Sequence, residues 1–118
     1  MSKKTITVLL PFYLIKEYKD IFEELGYAVI WADNKEALEE MILTHKIDIA
    51  LEWQHGRDDH TILNLVRKYY AHVPVLLMLN WNHMPPDNFA ELGYVDTLPV
   101  PININELKEK IHFYCKHT

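Results

Sequence analysis

The sequence predicts one α/β domain: a parallel sheet with helices on both faces. Three observations carry that prediction. Five short apolar runs rich in β-branched residues recur along the chain. Between them, apolar residues return at three- and four-residue spacing, the period of an amphipathic helix. The connections are short, and strands that alternate with helices at this spacing have to run parallel.

The central stretch is residues 47–53, IDIALEW, bounded by Lys46 and by Gln54, His55 and Gly56. A short run this apolar fits a strand buried on both faces. In an open α/β sheet, function gathers beyond the carboxyl ends of the central strands. Glu52 and Trp53 therefore mark where chemistry is expected.

The other elements follow in order. Residues 5–10 (TITVLL) read as a first strand. Leu14, Tyr18, Ile21, Phe22 and Leu25 then fall at helical spacing, and Gly26 sits where a C-cap belongs. Residues 27–32 (YAVIWA) form a second strand. Asp33 and Asn34 offer N-caps, and Asp33 and Glu36 have capping-box spacing, ahead of a helix at 35–45 that buries Ala37, Leu38, Met41 and Ile42. After the central strand, a polar loop at 54–59 leads into a helix at 60–70 with Ile62, Leu65, Val66 and Tyr69 inward. A buried strand at 73–79, a loop at 80–86 and a short helix at 87–92 ended by Gly93 come next. A fifth strand spans 94–100. Asn103 and Glu106 form a second capping pair opening a last helix at 105–116, with Leu107, Ile111, Tyr114 and Cys115 on one side.

Composition narrows the classes of function. A chain of 118 residues, 49% hydrophobic and 25% charged, suits a single globular domain over 1–118. Twelve basic against 17 acidic residues leave a net charge of −5, which argues against binding nucleic acid or an anionic membrane by charge. A lone cysteine, Cys115, allows no internal disulfide and suggests a reducing, cytoplasmic setting. Lys3 and Lys4 before an apolar stretch loosely mimic a secretory signal, but Pro11 interrupts it and no small-residue cleavage site follows. No apolar run reaches membrane-spanning length.

Two stretches resemble a known family. GYAVIWADNKEAL at 26–38 is similar to the second strand and helix of bacterial response-regulator receiver domains. GYVDTLPVPININEL at 93–107 resembles the end of receivers of the nitrogen-regulator type. The resemblance covers the whole chain through its five βα units. It implies the flavodoxin-like strand order 2-1-3-4-5 and a role in two-component signalling.

The resemblance also implies a phosphorylation site, and here the chain departs from the pattern. A working receiver holds Mg²⁺ on an acidic pair after strand 1, because hard cations take carboxylate oxygens. Counting without gaps puts Leu9 and Leu10 there; a slip of two gives Pro11 and Phe12. The phosphoacceptor aspartate becomes Trp53, or Glu52 with one residue missing upstream. The strand-4 hydroxyl becomes Leu79, or Asn80 after a one-residue slip. The lysine that would neutralise phosphoryl charge is Val100, directly before Pro101. The aromatic residue usual in strand 5 is Thr97.

Each candidate has a plainer reading beside the functional one. Glu52 would either mimic a phosphorylated aspartate or be a strand-end acid facing solvent. Trp53, Trp81 and Phe12 would cap the old crevice as a partner patch or simply pack. His55, Asp58, Asp59 and His60 match no metal-site spacing, and the two aspartates also read as helix N-caps. Only Gly26, Gly56 and Gly93 are available, too few for a Gly-rich phosphate cradle, so neither a flavin nor another cofactor is expected. Cys115 lacks an identifiable activating neighbour. His45, His72, His83, His112 and His117 read as surface residues.

Val95, Thr97 and Pro99 on strand 5, with Ile104, Lys108 and His112 on the last helix, occupy the face that receivers use for pairing or target contact. The expected function is a non-enzymatic, non-phosphorylatable pseudo-receiver acting through protein partners, with a homodimer through that face as one form. The alternatives are a small-ligand or metal sensor using the crevice beyond strands 1, 3 and 4, and a flavodoxin-like enzyme.

Overall fold

The computed structural model describes residues 5–10, 15–32, 34–53, 60–80, 84–85 and 87–115, with side chains in the first helix from residue 18 onward. Among the described residues ten elements alternate: β1 (Thr7–Leu9), α1 (Ile15–Glu24), β2 (Ala28–Ile30), α2 (Lys35–Thr44), β3 (Ile49–Trp53), α3 (Thr61–Tyr69), β4 (Val75–Asn80), α4 (Phe89–Leu92), β5 (Asp96–Val100) and α5 (Ile104–Cys115). The strands form one sheet in the order β2-β1-β3-β4-β5, and every pairing is parallel. The predicted fold class and strand order are those observed.

Strand alternation divides the core in two. Leu9, Ile30, Ala50, Val75, Leu77 and Leu79 face α2 and α3. Val8, Leu10, Ile49, Leu51, Leu76, Met78 and Leu98 face the other way, against Phe22 of α1 and Leu107, Ile111 and Cys115 of α5. β1, β3 and β4 are buried on both sides, as their unbroken apolar sequences require. Each fully buried Leu or Ile side chain contributes roughly 1.5–3 kcal/mol of transfer free energy.

The central strand is shorter than the apolar run. Ile47 and Asp48 are buried but precede the ladder, which opens at the Val8–Ile49 pair. The reason is the Asp48 side chain. Its Oδ2 accepts the Thr7 amide at 2.8 Å, while the Asp48 amide donates to the Thr7 carbonyl at 3.0 Å. A carboxylate thus takes the place of a backbone acceptor at the start of the β1–β3 pairing.

Helix ends mostly follow the capping residues. Asn103 Oδ1 accepts the Glu106 amide at 3.0 Å, as expected for α5. At α2, of the two adjacent residues that offer caps, Asn34 is the N-cap, its Oδ1 accepting the Ala37 amide at 2.8 Å. Asp33 lies outside the described residues. Gly26 and Gly93 both carry positive φ, 95° and 116°, which lets α1 and α4 turn directly into the following strands.

Arg67 ties the far end of the fold together. Its guanidinium reaches from α3 to the Val73 carbonyl at 2.7 Å, the Gly93 carbonyl at 3.1 Å and the Tyr70 carbonyl at 3.4 Å. One side chain therefore joins the α3–β4 turn to the α4–β5 turn. Tyr94, buried just before β5, stacks on Phe89 and shares a 2.6 Å hydrogen bond with His60 Nδ1.

Candidate functional site

The carboxyl ends of β1, β3, β4 and β5 meet at one edge of the sheet, and the described positions expected to form the phosphorylation site lie there. Leu9 and Leu10 are fully buried, one in each core. Leu79 is buried on the α2/α3 side. Asn80 is half-buried and in register with Val100 across the β4–β5 pair. Trp53 packs with Val100 and Ile102 against the α1/α5 core. Pro11, Phe12, Trp81, His55, Asp58 and Asp59 lie outside the described residues, so the expected cluster of Trp53 with Trp81 and Phe12 falls there as well.

Glu52 is not the solvent-facing acid that its place at a strand end suggested. It is only 5% exposed. Alternation along β3 turns it toward α3, and its Oε1 accepts the Leu63 amide at 3.0 Å. Leu63 is the third residue of α3, so its amide is one of the donors that no intrahelical carbonyl can satisfy. His60, at the N-cap position, makes no side-chain cap; its ring is bonded to Tyr94 instead. A carboxylate from the neighbouring strand therefore caps α3, and its charge also suits the positive end of the helix dipole.

This arrangement limits what the described residues of the edge can bind. Mg²⁺ needs several oxygen ligands, carboxylates first among them. Among the described residues at these strand ends, the one carboxylate is Glu52, already bonded to the α3 backbone; Asn80 and apolar side chains make up the rest. No group of three or more His, Cys, Asp or Glu residues placed to hold a metal occurs among the described residues. Among the described residues, the donors at this edge do not fit a receiver-type magnesium site.

Set against solved structures, the sheet order and helix placement find many counterparts. The chain has the receiver-domain fold. It aligns with the receiver domain of a Francisella response regulator at a TM-score of 0.72 and 22% identity, over 95% of this chain and 98% of that one. A CheY-like response-regulator receiver protein from Methanospirillum hungatei gives 0.74 and 18%, over 98% and 100%. The receiver domain of a sensor histidine kinase from Pseudomonas aeruginosa, with magnesium coordinated in its active-site cleft, gives 0.74 and 16%, over 96% and 99%. No family model and no curated protein matches the sequence.

On the receiver fold, the face formed by β5 and α5 is the other candidate surface. Val95 is 41% and Ile104 37% exposed, Lys108 and His112 are exposed, and Thr97 and Pro99 are half-buried. Phe113 adds a further exposed ring that the sequence reading left out. Helical spacing did not single it out, because its neighbour Tyr114 carries the inward stripe.

Beneath that face lies a polar network. Asp96 accepts from the Thr97 amide at 2.7 Å, the Tyr114 hydroxyl at 2.9 Å and Lys110 Nζ at 3.3 Å. Partial burial alone would raise the Asp96 pKa, but these donors outweigh it and hold the carboxyl below its ordinary range. Burial, and then the bond to Asp96, push the Tyr114 hydroxyl up to about 12.

A depressed carboxyl stabilises the fold above its unfolded pKa and loses that contribution as pH falls through the folded value. Asp96→Asn is therefore expected to flatten the acid-side loss of stability below the ordinary aspartate value of 3.8. Urea midpoints measured from about pH 5 to about pH 2.5 read this directly. Parallel curves for the two proteins would show that Asp96 does not carry the effect.

Two further expectations concern groups away from the strand ends. Cys115 is buried against the Asp48 carbonyl, and burial first, then the Asp48 charge, lift its thiol to about 11. A thiol raised in this way is a poor nucleophile. No helix among the described residues is long and apolar enough to cross a membrane.

Proposed function

We propose that this chain is a pseudo-receiver: a module that keeps the receiver fold, takes no phosphoryl group, and works through protein contacts in cytoplasmic two-component signalling. One observation carries the reading. At the strand ends where aspartyl phosphorylation would need a metal-binding acidic pair, an acceptor, a hydroxyl and a lysine, the chain has Leu9 and Leu10, Trp53 beside Glu52, Leu79 and Asn80, and Val100. Pro11 and Phe12, the other choice for the acidic pair, supply no carboxylate either.

Glu52 strengthens the reading. A carboxylate bonded to the α3 backbone is part of the scaffold and is not free to accept a phosphoryl group or to point at a partner as its mimic. In the proposed mode, contact falls to Val95, Thr97, Pro99, Ile104, Lys108 and His112, with Phe113 beside them, toward a protein partner or a second copy of the chain. Charge argues against nucleic acid as that partner.

The test is a titration followed by amide NMR, first with Mg²⁺ and then with beryllofluoride, a phosphoryl mimic. The expected result is no saturable shift at residues 9–12, 52–53, 79–80 or 100. In parallel, incubation with a small-molecule phosphodonor is expected to leave the intact mass unchanged. Saturable shifts confined to those positions, or a mass gain of one phosphoryl group, would overturn the non-phosphorylatable reading.

A further inference from the structure

We propose that the groove between the end of β2 and the outer side of α2 binds a small organic cation of the alkylammonium class. The groove has a volume of about 530 Å³ and is lined by Trp31, Ala32, Ala37, Met41, Glu40 and His45. Sites for small ligands commonly measure about 300–1,000 Å³, with apolar walls and a few polar groups that set the ligand's chemistry. The site is separate from the strand-end edge described above, and the inference does not depend on the pseudo-receiver reading.

The lining selects a positive charge on an apolar body. An indole offers a cation the negative potential of its ring. Met41 adds a polarizable thioether, and Ala32 and Ala37 add small apolar surface. The acidic character comes from α2. Glu40 lines the groove, and Glu36 lies one helical turn before it on the same side. Like charges at this spacing repel each other, so a cation between or beside them relieves a local cost.

Of the positive side chains near α2, Lys68 is engaged on the neighbouring stripe. Lys68 pairs with Glu39 at 3.3 Å, and Lys35 also acts on Glu39, on the neighbouring stripe of α2. Among the described residues, neither Glu36 nor Glu40 has a side-chain ion-pair partner. His45 is the one basic group in the lining, and its Nδ1 is taken up by Thr44 Oγ1 at 2.9 Å and the Met41 carbonyl at 3.2 Å. The groove thus combines an aromatic wall with a carboxylate that has no internal counter-charge.

The experiment compares choline with its neutral isostere, 3,3-dimethyl-1-butanol. The readout is the Trp31 indole N–H resonance, assigned by its loss in Trp31→Phe. Choline is expected to give a saturable shift of that resonance and of the Ala37, Met41 and His45 amides. The isostere is expected to bind about threefold to thirtyfold more weakly. Glu40→Gln, a change at an exposed position that leaves the core untouched, is expected to weaken choline about twofold to fivefold. No saturable shift would overturn the proposal. Equal binding of the isostere, or an unchanged affinity in Glu40→Gln, would overturn its cationic specificity.

Discussion

Glu52→Ala is expected to cost about 2–3 kcal/mol of folding stability, a large loss for a residue at the end of a strand. The substitution leaves the buried Leu63 amide without its acceptor and removes a negative charge from the N-terminus of α3. Glu52→Gln keeps an acceptor oxygen but not the charge, and should cost about 1 kcal/mol. Urea denaturation of the three proteins measures both values. Amide exchange at Leu63 should speed up in the alanine variant before exchange in β3 does, because the first turn of α3 loses its anchor. If Glu52→Ala falls within about 0.5 kcal/mol of the parent, the cap is not what holds the helix start. If alanine and glutamine cost the same, the charge matters and the acceptor does not.

Arg67→Met is expected to cost about 3 kcal/mol. Methionine keeps an unbranched apolar stem of similar reach, so the loss isolates the guanidinium. Three carbonyls lose a charged donor at once, those of Tyr70, Val73 and Gly93. Arg67→Lys should recover little of this, about 1 kcal/mol, because an ammonium cannot spread donors across two turns as a planar fork does. The loosened part should be local. The Val95 amide, bonded to the Val75 carbonyl just after the Gly93 turn, should exchange faster in Arg67→Met, while amides in β1 and β2 hardly change. Full recovery of stability by lysine would mean that charge alone, and not the fork, makes the connection.

Both residues belong to the same problem. Gly93 lies against Leu63 and Arg67: a Cβ built there would come within 3.5 Å of the Arg67 Nε and of a Leu63 methyl. The start of α3 is held by Glu52, its end by Arg67, and the turn into β5 closes over both. Such long-range contacts fix where α3 sits relative to the strand ends. They also explain why α3 holds its place without a side-chain cap from His60.

Much of this architecture was legible in the residues. The unbroken apolar runs in β1, β3 and β4 announce burial on both faces, and the helical stripes show which faces of α2, α3 and α5 turn inward. Gly26, Gly93 and Asn103 end or open their helices as their chemistry suggests. At α2, Asp33 and Asn34 each offered cap chemistry, and the backbone places Asn34 at the cap. Asp48 was visible as the acid interrupting an apolar run, but nothing local shows that it takes the Thr7 amide across 41 residues of chain.

The sequence by itself determined the alternation of strands and helices, the division of side chains into two buried layers, and the poverty of carboxylates at the strand ends. All of these follow from periodicity and residue type, which act over a few positions. Only the tertiary structure decided what Glu52, Arg67 and Asp48 do. Each side chain meets a backbone group from a different element, and the β3 alternation that turns Glu52 toward α3 acquires meaning only once α3 lies against that face. A local pattern records which face a residue occupies. The partner waiting on that face is set by the packing of the whole chain.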